Sequence, residues 1–279
     1  MYLKAFRRMH PLVILSYFLA VFVTVIGSKH PWMTGIQAVS LIGMYFYHER
    51  KFQKIVPFLL LAILVSVTNP LLVQRGATIL WQNGEIRMTK EALFYGIWYG
   101  CLLMNVCFAF SLFQRYFQRE HWVYLSGTLF PKLGVMFSMA LALVPRYQKQ
   151  AEKMTEVRKK LKKESPLRRA VHVFSMETTW AFEMSVDQLD SMNARGYGVG
   201  KRTHFHLFSW DKADLMHMAE IWLLFLLNCY SRSSFYSRFF FYPMIIWNSL
   251  TLRDVVWMLC MAAQILLPFC WKERYVCLK

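Results

Sequence analysis

Residues 166–203 read PLRRAVHVFSMETTWAFEMSVDQLDSMNARGYGVGKRT. Apolar or small residues recur at Leu167, Ala170, Phe174, Ala181, Ser185, Leu189 and Met192, the spacing of one face of a helix. Gly196 and Gly198 supply the turn that stops it. The stretch predicts a long amphipathic helix that ends in an exposed Ala194-Arg195-Gly196. Periodicity alone fits a helix lying on a membrane surface equally well. The setting, between long apolar stretches on both sides, separates the readings.

Hydrophobic residues make up 56% of the 279, aromatics 17% and charged residues 18%. Apolar runs this long and frequent exceed what a soluble core holds, so the composition predicts an all-α, polytopic membrane helix bundle. The net charge of +17 is concentrated in segments flanking the apolar runs, as in cytoplasmic loops that orient a membrane protein. No recognition motif accompanies it, which argues against nucleic acid as a partner. The six cysteines, Cys101, Cys107, Cys229, Cys260, Cys270 and Cys277, lie mostly inside apolar runs without metal-ligand spacing. Residues 1–8 and the apolar run after them mimic a secretory signal, but no small-x-small cleavage pattern follows and further apolar runs do. The run is therefore expected to be a retained first helix.

The charge pattern predicts about six spans. Lys4, Arg7 and Arg8 precede an apolar run over 11–26, and Lys29-His30-Pro31 breaks it before a second run over 32–47, which puts the N-terminus in the cytoplasm. His48, Glu49, Arg50, Lys51 and Lys54 form the next inside loop, and a third span covers 55–73, with Thr68-Asn69-Pro70 near its outer end. Residues 78–88 read as two short extended pieces around Asn83-Gly84, a small external hairpin. Thr89 caps a fourth helix to about residue 113, with Glu91 in its first turn. Gly96-x-x-x-Gly100 and Asn105 on that helix permit close packing and an interhelical hydrogen bond; incidental glycines on a loosely packed helix are the alternative.

Hydropathy marks 125–144 as well, but Pro131 and Lys132 interrupt it. Were it to cross, the basic residues between Arg146 and Arg202 would all lie outside, against the positive-inside bias. Residues 131–144 are therefore expected as an in-plane helix on the cytoplasmic side, 145–163 as a second cytoplasmic helix, and the opening stretch as a third. A fifth span over 213–229, an aromatic stretch over 235–247 at the outer interface and a sixth span over 255–269 follow. Lys272, Arg274 and Lys279 then end the chain inside. Without internal repeats or low-complexity linkers, the chain reads as one integral-membrane domain, 1–279, with N-terminal spans in 1–130, cytoplasmic helices in 131–206 and C-terminal spans in 207–279.

Several chemistries are excluded. Residues 196–203 mimic a phosphate loop, yet Arg195 stands where a Walker A glycine belongs and Arg202 follows the lysine. Lys201 occupies the third glycine position of a dinucleotide fingerprint, and no strand precedes it. His204 and His206 have no nearby cysteine and no i, i+4 partner, so they read as interfacial histidines and not as metal ligands. Glu177, Glu183, Asp187 and Asp190 read as a solvated helix face. Acids are nearly absent from the spans, which argues against a stand-alone secondary transporter, and no nucleophile, metal or base marks an enzyme.

Over most of its length the chain carries an ordered set of short motifs. These are Arg8-Met9-His10-Pro11, Thr68-Asn69-Pro70-Leu71, Arg75-Gly76-Ala77-Thr78, the run TKEALFYG over 89–96, Val144-Pro145-Arg146-Tyr147, Thr179-Trp180-Ala181-Phe182-Glu183, and SMNARGYG over 191–198 followed by Arg202-Thr203. In order and spacing this set resembles the transmembrane T component of energy-coupling factor (ECF) transporters, the vitamin and metal importers that include the CbiQ-like cobalt proteins.

The resemblance implies a non-catalytic cell-membrane subunit that binds no cofactor. It further implies two long cytoplasmic coupling helices, each ending in an Ala-Arg-x motif that docks on one of two ABC ATPase subunits, and a separate small hydrophobic S component that captures the substrate. Ala194-Arg195-Gly196 matches the second motif, and Val157-Arg158-Lys159, with valine in place of alanine, is the best match to the first. A small residue lets a helix tip approach a groove closely, and an arginine beside it offers a forked, permanent charge. Membrane lipid is the remaining expected partner. An orphan membrane scaffold or regulator, recruiting another cytoplasmic protein through the same surface, is the alternative.

Overall fold

Pro11, Pro31, Pro57, Pro131 and Pro166 each stand in the first turn of a helix, where the missing N–H leaves no bond unmade and φ is preset. The computed structural model describes residues 9–48, 55–73, 76–83, 86–161, 165–200, 208, 210–235, 240–245 and 251–277. Among these, the chain forms α1 (Pro11–Ile26), α2 (Pro31–His48), α3 (Val56–Leu72), β1 (Ile79–Asn83), β2 (Ile86–Thr89), α4 (Lys90–Tyr116), α5 (Arg119–Leu129), α6 (Pro131–Leu161), α7 (Pro166–Ala194), α8 (Lys212–Phe235) and α9 (Leu252–Cys277). Among the described residues the protein is all-α apart from one antiparallel hairpin. It divides into two compact units, Met1–Gln118 with Phe208–Lys279, and Arg119–Leu207. The expected Gly84 turn residue, the loop over 49–54, and Lys201, Arg202, Thr203, His204 and His206 lie outside the described residues.

Two of the helix starts use one device. His10 and His30 each precede a proline, and each Nδ1 accepts the N–H two residues on, Leu12 or Trp32, at 3.3 Å. Both rings are buried. Burial lowers the His30 pKa to about 4, against the opposing pull of Asp254. The fold therefore resists protonation of this ring, and the stability held by neutral His30 is complete above the ordinary histidine pKa of about 6.5 and lost as pH falls towards about 4. With part of the effect screened by solvent, the expected loss is about 1 to 2 kcal/mol across that window. It is measurable as a falling unfolding midpoint in detergent, and His30→Asn, which keeps a capping acceptor without a titrating ring, should flatten the slope. An unchanged slope in that variant would remove His30 as the cause.

In the first unit, α4 packs against α1, α2 and α3, while α9 packs against α1, α2 and α8. The glycine pair of α4 lies where α3 comes closest. A Cβ at Gly96 would lie 2.7 Å from the Ser66 carbonyl oxygen, and one at Gly100 would lie 2.5 Å from the Ala62 carbonyl oxygen and overlap the Ser66 hydroxyl. The Pro70 ring, 3.1 Å from the Gly96 position, fills the same seam. These glycines serve close packing and are not incidental. Asn105, fully buried one turn further along, donates from Nδ2 to the Thr34 carbonyl of α2 at 2.9 Å.

The expected hairpin is present, but Gln82 stands opposite Arg87 and Asn83 opposite Ile86, so Asn83 belongs to the ladder and not to the turn; a bulge lies between Ile79 and Trp81. Thr89 caps α4 through its hydroxyl to Ala92 N–H at 3.3 Å. Glu91 accepts from the Thr78 hydroxyl at 2.8 Å and fastens the hairpin to the helix. At the same end, Tyr95 and Trp98 pack on Phe241 with ring centroids 5.2 and 5.1 Å apart.

This unit buries polar side chains within its apolar core while it leaves many large apolar side chains exposed. Thr34, Gln37, Ser40, Asn105, Asn228 and Gln264 are buried, whereas Val39, Leu60, Leu64, Leu72, Leu223, Leu226 and Leu259 are among the exposed. Several of these groups bond to other elements: Ser28 Oγ, between α1 and α2, donates to Gln37 Oε1 at 2.9 Å, Asn228 Nδ2 donates to Gln264 Oε1, and the Tyr17 hydroxyl donates to the Ile265 carbonyl at 2.7 Å. Among the described residues, two helices, Lys90–Tyr116 and Leu252–Phe269, are long and apolar enough to cross a membrane; Pro11–Ile26 and Val56–Leu72 are shorter apolar helices.

The second unit holds α5, α6 and α7. Gly127 and Gly134 let α5 and α6 meet closely, since a Cβ at Gly134 would overlap the Gly127 backbone. The reading of 131–144 and 145–163 as separate helices is corrected: α6 runs without a break from Pro131 to Leu161, with Pro145 inside it. An interior proline removes one hydrogen bond, and a helix of 31 residues with good formers on both sides keeps the rest of its ladder. α5 is an element the sequence does not separate, because its polar first turn, Arg119-Glu120-His121, reads as a loop.

Candidate docking surface

α7 follows the predicted helix from Pro166 to Ala194. Its end is fixed by two backbone bonds, Gly196 N–H to the Asn193 carbonyl at 2.9 Å and Tyr197 N–H to the Met192 carbonyl at 3.0 Å. With Gly196 at φ +75°, this is the paired-bond C-terminal motif that needs a residue without a Cβ penalty in the left-handed region. Gly198, at φ +91°, turns the chain again. Ala194, Arg195 and Gly196 are all exposed. Arg195 is the capping residue itself, so its cation sits where the helix carbonyls gather negative partial charge.

Two faces of α7 do different jobs. Val173 is its one buried residue among those described, Trp180 packs edge-on against Tyr147 of α6 with ring centroids 5.6 Å apart, and Arg158 of α6 donates to the Met176 sulfur at 3.7 Å. The expected apolar face is a different one, and most of its large members remain open. Leu167, Val171, Phe174, Phe182 and Leu189 are exposed by between 57% and 79%, far more than an internal packing face allows. Around Phe174, Ala181, Phe182 and Ser185, with Tyr147 and Glu177 at the side, this face forms an open groove of about 470 Å³. Glu183, Asp187 and Asp190 are exposed at i, i+4 and i+7 on another line of the same helix.

The two candidate motifs are not brought together. Val157 and Lys159 are exposed near the end of α6, while Arg158 is half-buried against Met176. Met176 and Ala194 are separated by about 27 Å of helix at 1.5 Å per residue.

One cluster escaped the sequence reading. Near the start of α8, Glu220 accepts from Trp271 Nε1 at 3.0 Å and lies 3.5 Å from His217 Nδ1, with Asp214 and His217 buried. His10 stacks on Trp210 with centroids 4.0 Å apart, and burial lowers its pKa against the pull of Asp214. The i, i+3 spacing of Asp214, His217 and Glu220 was the available signal, hidden because each residue alone reads as a helix-end charge. Among the described residues, no group of three or more His, Cys, Asp or Glu side chains is arranged to hold a metal ion. No model of a known protein family and no curated protein matches this chain.

Proposed function

We propose that this chain is a non-catalytic, energy-coupling membrane subunit of an ECF-type importer, transmitting ATP-driven motion from two ATPase subunits to a substrate-binding partner for vitamin or metal uptake. The observation that carries the reading is the end of α7, where a fully formed helix terminus holds Arg195 in the open beside a long unpacked apolar face. Ala194-Arg195-Gly196 is the docking tip for one ATPase, and Val157-Arg158-Lys159 is the segment for the second. The open groove on α7 is the surface for a small hydrophobic S component.

The many exposed large apolar side chains of the first unit, with polar groups buried in its core, support six spans, α1, α2, α3, α4, α8 and α9. Water would penalise so many exposed leucines, whereas a bilayer tolerates them. The N-terminus and residues 145–203 then face the cytoplasm.

Two experiments test this. In a background without native cysteines, single cysteines at Lys160 and Gln82 should react with an impermeant thiol reagent from opposite sides of the membrane; reaction of both from outside intact cells would sink the topology. Co-expression should yield a mild-detergent complex with two ATPases and a small hydrophobic protein, and failure to form it would defeat the coupling role.

A further inference from the structure

We infer that the polar pocket between the ends of α2 and α4 is a binding site for one phosphate group, carried by the headgroup of a membrane lipid. The inference rests on the membrane reading above and not on the ATPase or S-component assignments. Tyr45 of α2 and Ser111, Leu112, Gln114 and Arg115 of α4 line a pocket of about 260 Å³, all within the first unit. Ser111, Gln114 and Arg115 stand at i, i+3 and i+4, the spacing of one helix face. Tyr45 is only 3% exposed, and its ring is fixed by Phe58 of α3 and Phe108 of α4, with centroids 6.4 and 5.3 Å away. Among the described residues, no group hydrogen-bonds to the hydroxyl of Tyr45 or of Ser111. Ser66 on α3, by contrast, donates back to the Ala62 carbonyl, the usual outlet of a serine inside a helix.

The lining selects the ligand. Tyr45, Ser111 and Gln114 can each donate a hydrogen bond, Arg115 only donates and is permanently charged, and no acid is among the described lining residues. Such a set suits an acceptor-rich anion. Arg115 also interacts elsewhere in the protein, and its guanidinium fork has donors enough for both. Carbonyls at the two helix ends oppose an anion, but their partial charge fades within a turn, whereas Arg115 puts a full charge in the lining. The pocket is smaller than the roughly 300 to 1,000 Å³ that enclose a drug-sized ligand, which leaves room for a single headgroup. Position selects the source. In the proposed topology α2 and α4 both end at the cytoplasmic face, where basic pockets between spans meet lipid phosphates. Phe110, 50% exposed, lies one turn deeper on the Gln114 line and gives an acyl chain an apolar track.

The test uses the full chain, stripped of native lipid in mild detergent, with bound mass read by native mass spectrometry. It is titrated with a short-chain phosphatidylglycerol, with inorganic phosphate, or with a short-chain diacylglycerol that has no phosphate. One equivalent of phosphatidylglycerol should bind saturably, and the diacylglycerol should not compete with it. Arg115→Gln should weaken binding about tenfold or more, because a charge-assisted bond is lost, and Tyr45→Phe, which keeps the packed ring, about two- to tenfold. Arg119→Gln, which removes an exposed cation outside the pocket, should change nothing. Tight phosphatidylglycerol with weak inorganic phosphate would support the lipid source, whereas equal affinities would assign the site to free phosphate and overturn that source. Binding that is unchanged in both pocket variants, weakened as much by Arg119→Gln, or matched by the diacylglycerol would overturn the site. Release of the full chain from membranes by an alkaline wash would instead overturn the membrane reading, and the lipid source with it.

Discussion

Arg195→Ala is expected to leave the protein inserted and folded while abolishing or strongly reducing ATP-driven uptake. Arg195 is exposed at the end of α7, and a solvated helix-end arginine contributes roughly 0 to 1 kcal/mol to stability. The terminus itself is held by backbone bonds through Gly196 and Tyr197 that the substitution leaves in place. In a docked complex the same side chain becomes a buried charged anchor, and truncating such an anchor costs about 2 to 5 kcal/mol. That loss empties or misaligns a contact that must form on every cycle. Arg195→Lys should rescue partly, because lysine keeps the charge and loses the planar fork. Arg158→Ala should behave like Arg195→Ala if Val157-Arg158-Lys159 docks the second ATPase, and close to wild type if it does not. Wild-type uptake with full ATPase recovery in Arg195→Ala would defeat the coupling reading.

The second large effect is expected at Gly100. Its missing side chain is the space in which the Ala62 carbonyl and Ser66 hydroxyl of α3 rest, and the contact is mostly with backbone, which cannot rotate away. Gly100→Leu should therefore separate α3 from α4 and destabilise the protein by about 3 kcal/mol, at the upper end of overpacking costs. The readout is the thermal midpoint in detergent. Gly43→Ala is the control, since nothing lies within 4 Å of a Cβ there and a helix gains from alanine. A Gly100→Leu protein as stable as the parent would contradict the close seam.

Features set by local chemistry were legible in the sequence. The Thr89 cap, the hairpin over 79–89, the Gly96/Gly100 seam, the Asn105 bond and the Gly196 stop each depend on a few neighbouring residues whose preferences agree. Features that depend on neighbours distant in sequence were not. Pro145 signals a break, but a proline costs only one bond when the turns around it hold, so α6 continues through it. The open apolar line of α7 was correctly located by its period, yet periodicity cannot tell a packed face from an exposed one, and the packing side proved to be that of Val173 and Trp180. The Glu220 cluster needed Trp271, 51 residues away, to become visible. Of the candidate site, the Arg195 tip was legible because a glycine stop and an arginine are adjacent, whereas the contact of Arg158 with Met176 of the next helix is a tertiary fact.

The central claim is that the free end of α7 seats an ATPase. Its most direct test is a photo-crosslinking amino acid at Tyr197, two residues beyond Arg195, in cells expressing the full chain with its candidate partners. The account predicts one major adduct, to a nucleotide-binding ATPase subunit, lost in the Arg195→Ala background although the protein is still inserted. An adduct that persists unchanged without Arg195, or irradiation that yields only lipid or self-crosslinked products, would contradict it.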